Sequence, residues 1–527
     1  MSAKNSSSVT VLGNDGAESN HVLEPMDEPL QNPPSPESQT KTACFYLLRF
    51  LRHITVEPTL VFYMMAFMLT TVIEQAFFVY KACSVNHGYN DTICRNINNK
   101  EYENITKEVQ ITVSNFHLWN DIAGHAGQII LAFFMGAWSD RRGRKVPLLM
   151  GLIGKLYYSV MIVVNSLQTN WPVEYIVYTA TLPMSFTGAD VAIFASAFTY
   201  LVDVCSLETR TMRVTLLEVS YLATMPTGIA LGAYIFRKVN QSYSTMFIIN
   251  ASLLVVAILY SLIRLKWQSS SNQRPLSEAH NLFLDFFDFN HVVDTTSTLC
   301  KKRAHKKRII LMLLILMMAL YVFQRDERNT MYLYCQLVFH WTVSQYSTFR
   351  TVQSSLQAVV LLVVVPLMNK LFGWRDTVIM MTGALAHTLA RVFYSSATAA
   401  WVFYFGGFFA AFGPIVAPII RSMVSKIVLP SEKGKKALDF YFAPEGCVRS
   451  LKQRKAFSML GVADNAIPLV SGVLYSKLYN MTIHTHPEAI YYLTMASQGG
   501  VFLLVLYIHF VYKEERLEPE SAYEESS

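Results

Sequence analysis

Charged side chains are scarce in this chain. Of 527 residues only 15% are Asp, Glu, Lys or Arg, and 52% are hydrophobic; soluble domains carry about 25% charged residues. Mean hydropathy is +0.29. A deficit this large leaves most of the chain without a wet surface. Cysteines number only seven, too few for a disulfide framework. Neither an HExxH metal-ligand pattern nor a GxSxG nucleophile elbow occurs, so a membrane enzyme, a bound metal and a cofactor are not expected. The N-terminal stretch lacks a charged region followed by an apolar one, so no cleaved signal peptide is expected. The net charge of +7 does not point to nucleic acid, because the basic residues sit in short loops at the ends of apolar runs.

What the chain does have is a series of apolar segments. Residues 1–57 form a Ser- and Pro-rich tail, expected to be disordered and cytosolic. Twelve segments of about 20 residues follow, the length that crosses a bilayer roughly 30 Å thick. They run over 58–80, 116–138, 147–167, 175–202, 214–236, 245–265, 308–326, 350–372, 376–397, 400–423, 456–479 and 489–512. Only helices satisfy the backbone of such segments in lipid. The expected fold is therefore an all-α membrane protein of twelve transmembrane helices. A polar linker over 267–307, ending in KKRAHKKR, divides them into six-helix bundles at 58–266 and 308–512, with a tail at 513–527. The basic end of the linker suits an anionic lipid surface.

The loops orient the chain. Those after segments 2, 4, 6, 8 and 10 carry RRGRK, ETRTMR, KKRAHKKR, NKLFGWR and KGKK with KQRK, whereas those after segments 3, 9 and 11 have no Lys or Arg. The positive-inside bias puts the former, and both termini, in the cytosol. The sequons at Asn90 and Asn104 then fall outside, as do those at Asn240 and Asn480, which sit closer to the membrane. Cys83 and Cys94 share the outer loop, where oxidation is allowed. They can pair with each other, one can reach Cys335, or both can stay free. Cys44, beside the membrane, is a possible acylation site but is more simply left unmodified.

Ionisable residues inside a membrane are expensive and hence candidates for function. On segment 2, His117, Asp121 and His125 fall at i, i+4 and i+8 on one helical face, widened by Asn120 and Gln128. Glu74 lies in segment 1, Asp190 after Gly188 in segment 4, Glu218 in segment 5, His387 and Arg391 on one face of segment 9, and Arg421 in segment 10. A carboxylate in a poorly hydrated cavity binds a proton more readily, which makes Asp121, Asp190 and Glu218 candidates for proton coupling. Arg421 is a candidate partner for an anionic solute or a counter-ion for one of these acids; a purely structural buried pair is the alternative for each. Four charges, Arg325 to Arg328, follow segment 7, either as an outer gate or where the helix ends.

The most informative ten residues are GAWSDRRGRK, from Gly136 to Lys145. Gly136 is expected to let two helices approach, Asp140 to cap or pair, Gly143 to allow a sharp turn, and Arg144 to form a bidentate latch across a gate, with Arg141 and Lys145 completing the basic cluster. This loop resembles the G-x-x-x-D-R-x-G-R-[RK] signature of the major facilitator superfamily, filling every defined position. Two further stretches, DVCSLETRTMRVTLLEVS (203–220) and PIIRSMVSKIVLPSEKGK (418–435), resemble the proton-coupled folate transporter and thymic stromal cotransporter family, solute carrier family 46, over about 50–512.

The resemblance implies a monomer moving a small organic, anionic solute by alternating access with protons. Glu218 matches the coupling glutamate of that family's segment 5, Arg421 matches its segment 10 arginine, and Asp190 matches its segment 4 aspartate less closely. Folate-like, drug-like, muropeptide-like and cyclic-dinucleotide solutes are all compatible with it, as are plasma and endolysosomal membranes. Two departures stand out. The folate-transporting member uses a histidine in segment 7, where this chain has Gln324; that argues against folate. Some twenty residues near 436–455 also intervene after SEKGK, as an insertion or a splicing remnant. A non-transporting sensor with the same fold and a proton-independent facilitator are the alternative readings.

Overall fold

A computed structural model describes residues 54–205, 207–269, 273–278, 281, 285–287, 307–428 and 466–515. The N-terminal tail with Cys44, the KKRAH run, the 436–455 insertion, the start of the eleventh segment and the last twelve residues lie outside the described residues.

Every regular element among the described residues is a helix. In the first half these are α1 (Glu57–Lys81), α2 (Glu103–Arg142), α3 (Lys145–Leu167), α4 (Ala189–Val204), α5 (Leu207–Lys238) and α6 (Tyr243–Arg264). The second half has α7 (Lys307–Phe323), α8 (Glu327–Val338), α9 (Val343–Val359), α10 (Val365–Phe372), α11 (Asp376–Ser395), α12 (Ala400–Ala410), α13 (Val416–Val428), α14 (Pro468–Thr482) and α15 (Ala489–Glu515). Among the described residues nine helical stretches are long and apolar enough to cross a membrane, or ten if the bent α2 is one span. The protein is thus a membrane protein with multiple candidate spans. Two segments of the expected twelve fall outside that set: α11 carries Asp376, His387 and Arg391, and α14 is described over only 15 residues.

Three boundaries differ from the sequence reading, each for a physical reason. Segment 7 does not end at the charged quartet. A single 3₁₀ turn, Gln324–Asp326, joins α7 to α8, and the helix continues to Val338 because Met331 to Leu337 are buried. Segment 8 starts seven residues early, at Val343, where Thr342 and Gln345 form a capping box. Segment 2 begins at Glu103 and runs for 40 residues.

In the first half α1 packs on α5 and α6, and α3 on α4 and α6; in the second, α11 packs on α15 and α12. Small residues permit the closest crossing. A Cβ on Gly232 of α5 would lie 2.0 Å from the Leu69 carbonyl oxygen of α1, and one on Gly228 would lie 2.7 Å from Met68 Cβ, a small-xxx-small contact of the kind membrane helices use. The halves meet chiefly where α2 packs on α14 and α5 on α9, with smaller contacts of α2 on α8 and α1 on α9.

At the end carrying Cys83 and Cys94, which form a disulfide, α2 makes a hydrogen-bonded seam with α8 and α14. Gln110 Nε2 donates to Leu333 O and Gln336 Oε1, both at 3.0 Å, and Gln110 Oε1 accepts from Tyr479 Oη at 2.9 Å. Ser114 Oγ donates to Ser476 O at 3.2 Å, and Asn480 Nδ2 to Asn115 Oδ1 at 2.8 Å. The largest buried apolar cluster draws on both halves, and a second one belongs to the second half alone.

Candidate functional site

A cavity of about 250 Å³ opens among α1, α2, α3, α4 and the start of α8. Along α2 its wall begins at His117, about 10 Å beyond the seam residue Gln110 at 1.5 Å rise per residue. The backbone explains one of its key groups. The fourth segment is broken into a π-helical turn at Val177–Thr181, a short helix at Leu182–Ser185 and α4. Gly188 caps α4 with φ +77°, and its missing side chain leaves room for Met135. Asp190 therefore sits in the first turn of a helix inside the membrane, where the helix dipole favours a carboxylate. Broken helices of this kind are tolerated where they line a cavity.

Two of the acids in this cavity have close partners. Lys155 Nζ of α3 lies 2.7 Å from Asp190 Oδ2 and above the Phe67 ring. Tyr63 of α1 donates to Asp190 Oδ1, and Tyr158 of α3 donates to Glu74 of α1. Asp121, His125 and Gln128 of α2 line the same space with Arg328 of α8, and Asn120 accepts from Thr181 at 2.6 Å. Among the described residues His117 Nε2 is buried without a hydrogen-bond partner.

A second charged cluster lies in the second half. Arg391 of α11 grips Glu327 at 3.0 and 3.2 Å; both are buried, and Thr494 of α15 donates to the same carboxylate. Ser471 of α14 donates to Asp326. The quartet Arg325 to Arg328 is thus an internal element rather than a helix end. Arg391 pairs here and does not line the larger cavity. Glu218 of α5 and Arg421 of α13 are exposed and come near enough to interact electrostatically, so the two halves contribute one member each.

The GAWSDRRGRK loop is a clamp within the first half. Arg144 is buried and donates to Asp203 Oδ2 of α4 at 3.1 Å, to Ser139 Oγ at 2.6 Å and to Asp140. Lys145 Nζ donates to the carbonyls of Leu262 and Leu265, both at 2.8 Å, and stacks over Trp267. Gly143, at φ +115°, brings its backbone against Trp267 O, where a Cβ would lie 2.3 Å away. Gly136 corrects an expectation: it is exposed, and a Cβ there would meet no described atom within 4 Å. The bonds of Arg144 all stay within α2 and α4 rather than crossing between halves.

The linker adds partners that its own sequence did not advertise. Asp285 takes a bidentate bond from Arg142 at 3.0 and 3.1 Å and another from Trp138 Nε1 at 3.0 Å, while Arg141 donates to its carbonyl. The Arg142 guanidinium holds the Asp285 carboxyl below the ordinary carboxylate range. Phe286 and Phe287 pack on Leu131 and Met135 of α2 and Ala192 of α4.

Of the modification candidates, Asn90 caps a short helix at Asp91–Arg95, and it and Asn104 are exposed. Asn480 lies in the last turn of α14 and bonds Asn115 rather than standing in a loop. The bonds from Tyr80 and Arg95 hold the nearby Asp91 carboxyl below its ordinary value.

Sequence reasoning missed Lys155, Asp326 and Glu327. A lysine in the middle of an apolar helix is itself a signal; the two acids were hidden by ending their helix too early. Among the described residues no group of three or more His, Cys, Asp or Glu side chains could hold a metal ion.

Comparison with known proteins agrees with this architecture. The chain is 23% identical over 468 residues to the "Probable peptidoglycan muropeptide transporter SLC46" of Drosophila melanogaster, covering 86% of this chain and 84% of that protein. It is 25% identical to the "Lysosomal proton-coupled steroid conjugate and bile acid symporter SLC46A3" of Gallus gallus, covering 78% and 87%. It is also 25% identical to the "Proton-coupled folate transporter" of Rattus norvegicus, covering 77% and 82%. By structure it resembles a D-xylose–proton symporter with TM-score 0.57 at 12% identity, covering 86% and 96%. It also resembles the human organic anion transporter MFSD10 with TM-score 0.55 at 14% identity, covering 85% and 97%. These relatives and fold neighbours are transporters rather than enzymes. Residues 59–442 match the Major Facilitator Superfamily, and the chain belongs to that superfamily.

Proposed function

We propose that this protein is a monomeric secondary transporter that carries a small organic anion inward with protons, by rocking two six-helix bundles about the central cavity. The observation that carries the reading is the cavity itself: Asp121, Asp190, Glu74, Lys155 and Arg328 converge inside an otherwise apolar helical assembly. Placing ionisable groups at that depth is costly, and a solute pathway is their ordinary use. In this reading α11 and α14 complete twelve crossings, both termini are cytosolic, and Asn90 and Asn104 face the opposite side and are glycosylated. The GAWSDRRGRK loop gates the cytosolic end.

Glu218 and Arg421 are assigned to solute and proton coupling. Their facing positions on α5 and α13 make their attraction sensitive to how far apart the bundles stand, and Arg421 supplies the charge an anion needs. A muropeptide or a steroid conjugate suits the chain better than folate, since Gln324 stands where the folate-transporting relative's histidine is expected.

The test uses proteoliposomes loaded with buffer and offered a muropeptide, a conjugated bile acid or folate across an imposed proton gradient. Saturable accumulation that follows an inward gradient supports the reading. Uptake indifferent to the gradient makes the protein a facilitator, and no accumulation of any of the three refutes the assigned solute class.

A further inference from the structure

The seam encloses a second, much smaller cavity of about 10 Å³, room for roughly one water molecule. Its wall brings together His117 and Asp121 of α2, Asp326 of the α7–α8 turn, Asn329 of α8 and Gly472 of α14. Three features make it more than an accidental gap. First, the two carboxyls come from different halves yet rest on consecutive residues of α14. Ser471 donates to Asp326, and Gly472 lies so close to Asp121 that a Cβ there would be 2.9 Å from Oδ2. Second, His117 is 3% exposed, lines this cavity, and has a buried Nε2 with no partner among the described residues. Third, His117, Asp121 and Asn329 also line the large cavity, so the same side chains border both spaces.

Among the described residues the nearby positive charges act on Asp326 rather than on Asp121. From α1, Glu74 is held by Tyr158 of α3. From α3, Lys155 is taken by Asp190. On α8, Glu327 is taken by Arg391. Arg325 and Arg328 flank Asp326 and exert an attraction on it. On α2, His125 lies one turn beyond Asp121, on the large-cavity side. Among the described residues α14 lines the small cavity with Gly472 and Ser476 and reaches Asp326 through Ser471; none of the three titrates. Two like charges facing each other across a seam repel, and low local dielectric strengthens the repulsion.

We infer that the His117–Asp121–Asp326 cavity is a proton-binding site between the two halves, and that emptying it opens the disulfide end. One proton is held on the carboxyl pair, with His117 Nε2 as the adjoining acceptor. On release the carboxyl O–H bond breaks, and the proton passes to water in the large cavity and leaves as hydronium. Asp121 and Asp326 are then both anionic, and the seam they straddle separates. The site thereby supplies the return step of a symport cycle and rests, to that extent, on the transport reading above. A sodium ion is the other occupant that two carboxylates and the Asn329 amide would accept.

The seam can be read without any solute. Ser114, 1% exposed, lies on α2 one turn toward the disulfide end from His117. A Ser114→Cys full-length protein in nanodiscs is treated with a maleimide at acidic and at alkaline pH. Labelling of that position is resolved from native cysteines by peptide mass spectrometry and normalised to a free cysteine peptide at each pH. The normalised labelling is expected to rise roughly tenfold at alkaline pH, and to stay low at both pH values when Asp121→Asn or Asp326→Asn is added.

A rise that persists in both asparagine variants, or no rise at all, overturns the proposal. Sodium chloride restoring slow labelling at alkaline pH, where choline chloride does not, overturns the proton in favour of sodium. The two asparagine variants lie on different halves, so a folding defect in one leaves the other to decide. Failure of solute uptake with the labelling pattern intact would sink the transport reading and leave this site standing. Gradient-driven uptake with pH-independent labelling would do the reverse.

Discussion

Removing Arg391 is expected to damage the second half more than any surface change. Its guanidinium holds Glu327 through two bonds of 3.0 and 3.2 Å, with side-chain exposures of 6% and 3%. Arg391→Met strands a carboxylate whose remaining hydrogen-bond donor among the described residues is the Thr494 hydroxyl. Breaking a buried pair by deleting one partner costs about 3–5 kcal/mol, most of it the penalty of the charge left behind. Glu327→Gln should cost a similar amount, because a buried guanidinium is then unpaired. The double variant Glu327→Gln/Arg391→Met removes both charges and keeps most of the volume. It is expected to recover about 2 kcal/mol or more relative to the sum of the single changes. The assay is apparent thermal unfolding of detergent-purified protein, followed by tryptophan fluorescence and compared across the four members of the cycle. If each single change costs less than about 1 kcal/mol and the two simply add, the pair is hydrated and the burial argument fails.

The other expected outcomes concern transport, packing and pH. Glu218→Gln and Arg421→Ala should each impair uptake while the protein still reaches its membrane; unchanged uptake in surface-labelled cells would clear them. Gly232→Ala places a methyl group 2.0 Å from the backbone oxygen of Leu69, which cannot move aside as a side chain can. A loss of about 1–3 kcal/mol is expected, read as a fall in thermal stability and in monodisperse yield, whereas Gly499→Ala, which meets no atom within 4 Å, should lack this clash. The linker dock depends on pH with a definite sign. Arg142 lowers the Asp285 carboxyl below its ordinary 3.8, so its stabilisation is complete above that value and fades as pH falls through the lowered one. Protease cleavage near residue 285 should accelerate at that acid limit. In Asp285→Asn it should already be faster at neutral pH and show no further acid step.

Much of the fold can be read from the chain, because lipid leaves the backbone few choices. The apolar runs and the GAWSDRRGRK loop announce helices and their ends. The partners of the buried charges are not announced. Lys155 and Asp190 meet because the fourth segment breaks at Gly188, and nothing in an apolar run says which neighbour will supply the opposite charge. The quartet at 325–328 misleads for a related reason. Four consecutive charges resemble a helix leaving the membrane, yet Ser471, Arg391 and Thr494 solvate two of them inside the protein. Asp121, His125 and Asp190 could be found because their signal is local: a polar face on an apolar helix, or a carboxylate just after a glycine. Gly136 shows the opposite case, a motif position whose expected close contact is absent among the described helices.

Two lysines of the first half perform the same task at opposite faces. Lys81 of α1 donates to the carbonyls of Asn165 and Gln168 at the end of α3, and Lys145 of α3 donates to those of Leu262 and Leu265 at the end of α6. Each ammonium satisfies oxygens that a terminating helix leaves bare. One rim thereby rivets α1 to α3 and the other rivets α3 to α6. Because α3 is common to both rivets, sliding it along its own axis strains the two at once.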